Sequence, residues 1–323
     1  MSLRHIAIPS SRSRARSTLP SSPLPPRYPT YALATRVQSK LQQDLLAWKA
    51  LPPGAPHHKP PPRPALISFT PAPTYTLGRR QTEPLAASEL ARLRAPLHIS
   101  ASSHGKSFGY TPEVLHAPRG GLTTYHGPGQ VVLWPVIDLR SPLHAHFSVR
   151  DYTCLLEKTT IATLQRVYGI EGFTTSNPGV WVRLRSTSLT SEQQDTEEGE
   201  ERKIAALGVH LRRHVTGLGV AINFGMPVSG SEAVNPWARI VACGLGDKSV
   251  TSVMAHLDLS PVLNGDDIAP VWAAEFAARL NLHVPEGEDG GPVVEDGFWE
   301  HWEKELQIDR LDEGFVEAQM LLG

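Results

Sequence analysis

RGGLTTYHGPGQVVLWPVIDL, residues 119–139, decides how this chain is read. Its first twelve positions hold five glycines or prolines around Arg119, Tyr125 and His126. The rest, VVLWPVIDL, is an apolar run of strand length without alternation, the pattern of a strand covered on both faces. A turn-rich segment leading into such a strand is either a tight connection or a loop whose backbone must come close to a ligand. The stretch alone leaves both open.

Working outward, ALISF (65–69), VVLWPVI (131–137), GVWVRLR (179–185), IAALGVHL (204–211) and GVAINF (219–224) are short apolar runs bounded by turn-formers, and read as strands. Helical spacing runs through 30–50, ending at Pro52, and through 149–170, where Tyr152, Leu155, Leu156, Leu164, Val167 and Tyr168 suit a core face. A third helix runs from about Ile268 to Leu282, with Trp272, Phe276 and Leu280 stacked and Asp266 or Asp267 as cap. Strands and helices mix without a regular βαβ repeat. The expected class is α/β or α+β, a mixed β-sheet flanked by helices.

One catalytic domain over residues 1–283 is expected, interrupted by insertions at about 10–29, 51–64 and 186–202. The first two are proline-rich and read as extended linkers; the third, polar and mostly acidic, reads as a solvated hairpin insertion between two strands. The segment up to Gln43 has no acidic residue but several arginines and serines, the composition of an organellar transit peptide. A disordered insertion within a folded N-terminal segment explains the same letters, because LRHIAIP (3–9) itself resembles a strand. Residues 284–323 read as a linker and a C-terminal helical appendage containing Trp299 and Trp302.

With 323 residues and 40% hydrophobic content the chain can bury a substantial core. A formal net charge of −1 and no dense basic run give no footprint for nucleic acid, and no apolar stretch is long enough to cross a bilayer. Fourteen histidines fall in no HExxH or CxxC pattern, so neither metal nor other cofactor is expected. Two cysteines far apart, Cys154 and Cys243, suit a reducing compartment.

Cys154 lies among leucines in a helical pattern and is expected to serve as a small apolar residue. Cys243, in RIVACGLGDKSVTSV, is followed by Gly244 and Gly246, whose backbone N–H groups could approach a bound acyl oxygen. A buried structural thiol fits the same letters. A thiol of pKa ~8.5 needs help to act as a nucleophile at neutral pH. A lysine ammonium ~4 Å away attracts a thiolate by about 4 kcal/mol at an effective dielectric of ~20. With half of that offset by desolvation, the thiol shifts by roughly one to two pH units. Lys203 opens KIAALGVHL, where Ala205, Ala206 and Gly208 leave room for a flat or linear ligand; a solvated charge is the alternative for such a lysine.

Taken together, RGGLTTYHGPGQ resembles the signature of the lipoyl(octanoyl) transferase family. SFTPAPTYTLGRR (68–80), GVWV (179–182) with KIAALG (203–208), and IVACGLGDKSVTS (240–252) agree with it in order, over roughly residues 3–283. The resemblance implies a fold like that of biotin and lipoate protein ligase catalytic domains. It implies transfer of an octanoyl group from octanoyl-acyl carrier protein to a lysine of lipoyl domains, those of 2-oxoacid dehydrogenase subunits and the glycine cleavage H protein. Cys243 would carry the acyl thioester and Lys203 would lower its pKa. Substrate-binding positions would be Arg119, Gly120, Gly121, Leu122, Thr123, Thr124, Tyr125, His126, Ala206, Leu207, Gly208, Gly219, Val220 and Ala221.

In that role Tyr125 offers an apolar wall with a polar tip, and His126 could orient the thioester or relay a proton. Arg119 could equally pin the loop by bonding carbonyls. Two departures touch positioning: Leu218 where the family has histidine, and Ala242 where it has proline before the cysteine. The mitochondrial matrix is the expected compartment, and acidic carrier and acceptor proteins should meet a basic rim. An ATP-dependent lipoate or octanoate ligase, a lipoyl amidotransferase and an inactive acyl-carrier-binding module are the alternatives.

Overall fold

The computed structural model describes residues 2–8, 10, 27–52, 60–100, 107–183, 199–240, 249–257, 268–283, 315–317 and 319–320. In chain order its elements are β1 (Arg4–Ile8), β2 (Arg27–Pro29), α1 (Tyr31–Lys49), β3 (Ala65–Phe69), β4 (Thr74–Leu77), α2 (Ala87–Leu93), β5 (Leu97–Ser100), β6 (Ser107–Tyr110), β7 (Glu113–His116), β8 (Thr124–His126) and β9 (Gln130–Val136). Then follow α3 (Val149–Tyr168), β10 (Gly179–Arg183), β11 (Glu201–Arg212), β12 (Val215–Asn223), β13 (Ser249–Val250), α4 (Ile268–Arg279), β14 (Phe315–Glu317) and β15 (Gln319–Met320).

The large sheet has the order β1-β3-β9-β12-β11-β10, with β13 beside β11. β1 runs parallel to β3 and β13 parallel to β11; the other pairs are antiparallel, so the sheet is mixed as expected. Period-two alternation splits its side chains cleanly. Val131 and Leu133 of β9 pack with Leu156, Leu164, Trp272 and Phe276 under α3 and α4. Val132, Trp134 and Val136 pack with Leu33, Val37 and Leu41 of α1 on the other face. Each large side chain buried this way stabilises the fold by roughly 1.5–3 kcal/mol, which is why β9 reads as continuously apolar.

Helix ends follow their local chemistry. Thr30 caps α1 by accepting from Leu33 N. Ser148 and Asp151 form a reciprocal capping box on α3, and Gly169 ends that helix in the left-handed region at φ 67°. The Asp266 or Asp267 cap expected for α4 lies outside the described residues.

Four readings change. β1 is an edge strand with Leu3, Ile6 and Ile8 buried, so residues 3–8 belong to the fold and the insertion reading accounts for them better than a removable leader. Arg27–Pro29, placed by sequence in the first insertion, is a strand paired with β14, and Glu201 and Arg202, placed in the third, open β11. The two strands flanking the third insertion are antiparallel neighbours, as a hairpin requires. Most of the C-terminal helix reading lies outside the described residues, but Phe315, at its end, begins β14 rather than continuing a helix. Cys154 is exposed on α3, so it is not part of the leucine core.

His5 on β1 is 3% exposed; its Nε2 pairs with Ser68 Oγ at 2.8 Å, and Nδ1 has no partner among the described residues. Burial lowers its pKa from 6.5 to about 4, and burial acts likewise on His126, also lowered to about 4. Between these values the unfolded chain binds protons that the folded chain does not. The contribution to stability is therefore complete above pH 6.5 and is lost as pH falls toward 4. From pH 7 to pH 5 the loss is about 2 kcal/mol per histidine. Urea unfolding at the two pH values should show this fall, and His5→Gln should reduce it by about 2 kcal/mol; an unchanged fall in the variant would contradict the assignment.

Candidate functional site

A groove opens on the α1 face of the large sheet. It is lined by Tyr31, Arg119, Thr124, His126, Trp134, Ala206, Leu207, Gly208, Leu218, Gly219, Val220 and Ala221. Nine of the residues expected at the acyl site thus meet in one place, drawn from the 119–126 segment, β11 and β12. Ala206 pairs with Ala221 and Gly208 with Gly219, so small residues stand side by side on the groove floor. Leu207 and Val220 belong by side chain to the core under α3 and α4, and border the groove only with their backbone.

The floor is shaped by a proline. Pro135 in β9 has no N–H to give a neighbouring strand. Opposite it, Leu218 adopts φ 60°, a left-handed conformation that costs a non-glycine residue roughly 1–2 kcal/mol. Thr216 bridges the gap, donating from Oγ1 to Pro135 O at 2.9 Å and accepting from Ile137 N at 2.9 Å. The displaced Leu218 N–H donates to Gln38 Oε1 of α1 at 2.6 Å. Gly219 must lack a side chain, since a Cβ there would lie 2.3 Å from Leu133 O. Leu218, the departure from the expected histidine, is buried and adds an apolar wall.

Arg119 is 8% exposed, and its guanidinium acts as the pin of its own loop. It donates to Gly120 O, Leu122 O, Thr76 O and Thr76 Oγ1 at 2.6–3.2 Å. Its aliphatic stem crosses Gly208, where a Cβ would come within 2.9 Å of Cδ. Gly120, Gly121, Leu122 and Thr123 do not line the groove; the carbonyls of Gly120 and Gly121 instead crowd Gly78, at 2.7 and 2.4 Å from any Cβ placed there.

Tyr125 is not a groove wall. It is 1% exposed on the opposite side of β8, packed against Tyr75 at 5.1 Å and Trp237 at 6.0 Å between ring centroids. Thr124 and His126 take the groove side. Gly127 accommodates the Tyr125 hydroxyl, and Gly129 at φ 83° turns the chain into β9. The opening stretch is therefore both a tight connection and a groove wall.

Lys203 is 6% exposed, not the solvated charge its position also allowed. Nζ donates to Pro178 O at 3.1 Å and lies 4.7 Å from the Trp181 ring centroid. A β-bulge sets its direction. Trp181 pairs with Lys203 and Val180 with Ala205, leaving Ile204 as the extra residue. Ile204 and Ala205 both pack into the core under α3, so Ala205 offers no open space. Lys203 thereby shares a face with Ala206 and Gly208, which simple alternation would forbid.

Cys243 lies outside the described residues. The described residues bracketing it are Ile240 and Ser249, and β13 brings Val250 beside Lys203. Thr251 N donates to Lys203 O at 2.9 Å. Four groups that sequence reasoning does not assign join the site: Tyr31, Trp134, Gln130 and Asn223. Gln130 and Asn223 are 1% exposed, and a buried amide at the end of an apolar strand is a readable signal of a fixed polar network.

Residues 55–277 match the family model described as lipoyl protein ligase A/B catalytic domain. A Schizosaccharomyces pombe protein named "Probable octanoyltransferase" is 35% identical over 224 residues, covering 69% of this chain and 80% of that one. The Danio rerio protein named as the mitochondrial octanoyl-acyl-carrier-protein:protein N-octanoyltransferase LIPT2 is 33% identical over 211 residues, covering 65% and 74%. A bipartite lipoate protein ligase from Thermoplasma acidophilum aligns in structure with a TM-score of 0.45 at 13% identity, covering 88% of this chain and 95% of that one.

Proposed function

The chain belongs to the lipoyl protein ligase A/B catalytic-domain family, and from that premise we propose that it is an octanoyltransferase of protein lipoylation. The donor is octanoyl-acyl carrier protein and the acceptor a lysine on another protein, specifically the lipoyl domains of 2-oxoacid dehydrogenase subunits and the glycine cleavage H protein. Cys243 attacks the carrier's thioester, the pantetheine thiol leaves with a proton, and the acceptor amine then displaces the octanoyl group from sulfur as an amide. Exchange of one thioester for another is nearly isoergic and amide formation runs downhill, so no nucleotide is required.

The observation that carries this reading is convergence. The 119–126 segment, the Lys203 strand and β12 meet around one apolar groove, and β13, which follows Cys243 in the sequence, lies beside Lys203. The test compares donors: octanoyl-carrier thioester should support acylation of a lipoyl domain without nucleotide. Acylation only from free octanoate with ATP would instead mark a ligase, and acylation only from an acylated protein an amidotransferase.

The Danio rerio relative is named a mitochondrial protein, and this chain acts in the mitochondrion under the same reading, in the matrix. A basic rim suits its acidic partners. Arg79 and Arg80 follow β4 and are exposed, and their backbone N–H groups donate to Arg119 O and Gly121 O at 2.9 and 3.1 Å. His210 continues the groove face of β11 and is held below its ordinary pKa by burial, then by Arg79 and Arg212. Arg79, Arg80 and Arg212 thus put positive charge at one end of the groove. Arg79→Glu with Arg80→Glu should raise KM for the octanoyl-carrier about tenfold while kcat changes little, and should weaken its dependence on salt. An unaltered KM would move the docking surface elsewhere.

A further inference from the structure

The imidazole of His126 ends a chain of buried amides whose direction is fixed from the far end. Thr251 O can only accept a hydrogen bond, and it receives one from Asn223 Nδ2 at 3.0 Å. Asn223 must then turn Oδ1 toward Gln130, whose Nε2 donates to it at 3.0 Å. Tyr125 O, also acceptor-only, faces the same Nε2 at 3.5 Å and demands the same orientation. Gln130 is left with Oε1 toward His126 Nδ1 at 2.9 Å. The hydrogen therefore resides on Nδ1, and Nε2 carries a lone pair.

Resting on the octanoyl-transfer reading, we propose that His126 is a hydrogen-bond acceptor in the groove, aligning the attacking amine of the acceptor lysine through Nε2, and that Gln130 and Asn223 are positioning residues that lock it in this tautomer. Neutral His126 in this state cannot donate to a thioester carbonyl, so it does not polarise the acyl group. As the C–N bond forms and the C–S bond breaks, the proton shed by nitrogen passes to Nε2, the Cys243 sulfur leaves as thiolate, and the imidazolium then gives its proton to solvent and returns to the neutral form. The surroundings keep the ring uncharged at the start: burial disfavours the cation, and the Arg119 guanidinium opposes it. The Tyr31 ring of α1 lies 5.6 Å away, and no carboxylate is among the groups that shift His126. The chain starts at Thr251, whose N–H is bonded to Lys203 O, so the amine-aligning group and the lysine strand share one anchor.

Ring-nitrogen NMR of the whole enzyme, with selectively labelled histidine, tests the lock without reference to activity. At pH 7 the wild type should show Nδ1–H and a bare Nε2 for His126. Asn223→Val should leave Gln130 held only by the long 3.5 Å contact to Tyr125 O, so that a minor Nε2–H form appears beside the Nδ1–H form. Gln130→Glu, acceptor-only when ionised, should restore a single Nδ1–H form at pH values above its own ionisation, even when combined with Asn223→Val. In single-turnover experiments Asn223→Val should slow acyl transfer from enzyme to acceptor about tenfold while enzyme acylation by the donor stays within about twofold. Gln130→Glu should add an ionisation near neutral pH to the acceptor step. An Nε2–H wild type, or equal slowing of both half-reactions, overturns the proposal. If the tautomer is as stated but no octanoyl transfer occurs with any donor, the functional reading is what fails.

Discussion

Cys243→Ala is expected to lower octanoyl transfer by at least about 10³-fold while leaving the melting temperature within a few degrees of wild type. Removing a covalent nucleophile leaves only what binding and positioning supply, and measured losses in such enzymes reach that size or more. The described lining of the groove comes from other residues, so the variant should still bind octanoyl-carrier. Steady-state assay with purified acceptor domain, together with a carrier-binding measurement, checks both halves. Retained turnover would mean that the acceptor attacks the carrier directly.

Lys203→Ala is expected to cost about 10²–10⁴-fold in transfer, the range for loss of a positioned acid or base. It should also move the pH at which the Cys243 thiol is alkylated upward by about one to two units. The placement of Lys203 makes it a demanding site. Its stem lies against Gly179, 3.4 Å from any Cβ there, and its ammonium holds the Pro178 carbonyl. Arginine retains the charge but not the compact shape, so Lys203→Arg should rescue little. An alkylation profile unchanged in Lys203→Ala would separate the ammonium from the thiol and remove its role.

Much of the fold is legible in the letters because its strongest signals are local. The helix at 31–49 is announced by its helical spacing and ended near Pro52, and the 149–168 helix by its apolar face. The strands β3, β9, β10 and β12 are apolar runs because both of their faces are covered. The short strands are different. TYTL, EVLH and TYH are three or four residues long, too brief for a period to appear, and their pairing comes from the layer they build together. That is why the letters place Tyr125 at the groove and the fold does not: which side a three-residue strand shows depends on its neighbours. Lys203 requires the opposite correction, since the bulge at Ile204 turns it to the face of Ala206 and Gly208 against simple alternation. The kink at Leu218 likewise follows from Pro135 across the sheet, a cause some eighty positions distant in sequence.

The site itself is half legible. Glycine-rich blocks mark the walls, because a backbone that must approach another chain or a ligand cannot carry side chains. The groove's apolar end carries no such mark. Tyr31 and Trp134 look like ordinary core residues in their own elements, and only tertiary packing turns them toward the same space. Gln130 and Asn223 are the quieter clue, two amides at the ends of apolar strands whose partners lie far along the chain.

Intact mass spectrometry after brief incubation with octanoyl-carrier, in the absence of acceptor, tests the central claim most directly. The account predicts that the wild type gains the mass of one octanoyl group, that hydroxylamine removes it, and that peptide mapping assigns it to Cys243. An adduct that persists in Cys243→Ala, or transfer to acceptor with no enzyme-bound octanoyl group at any time, would contradict it.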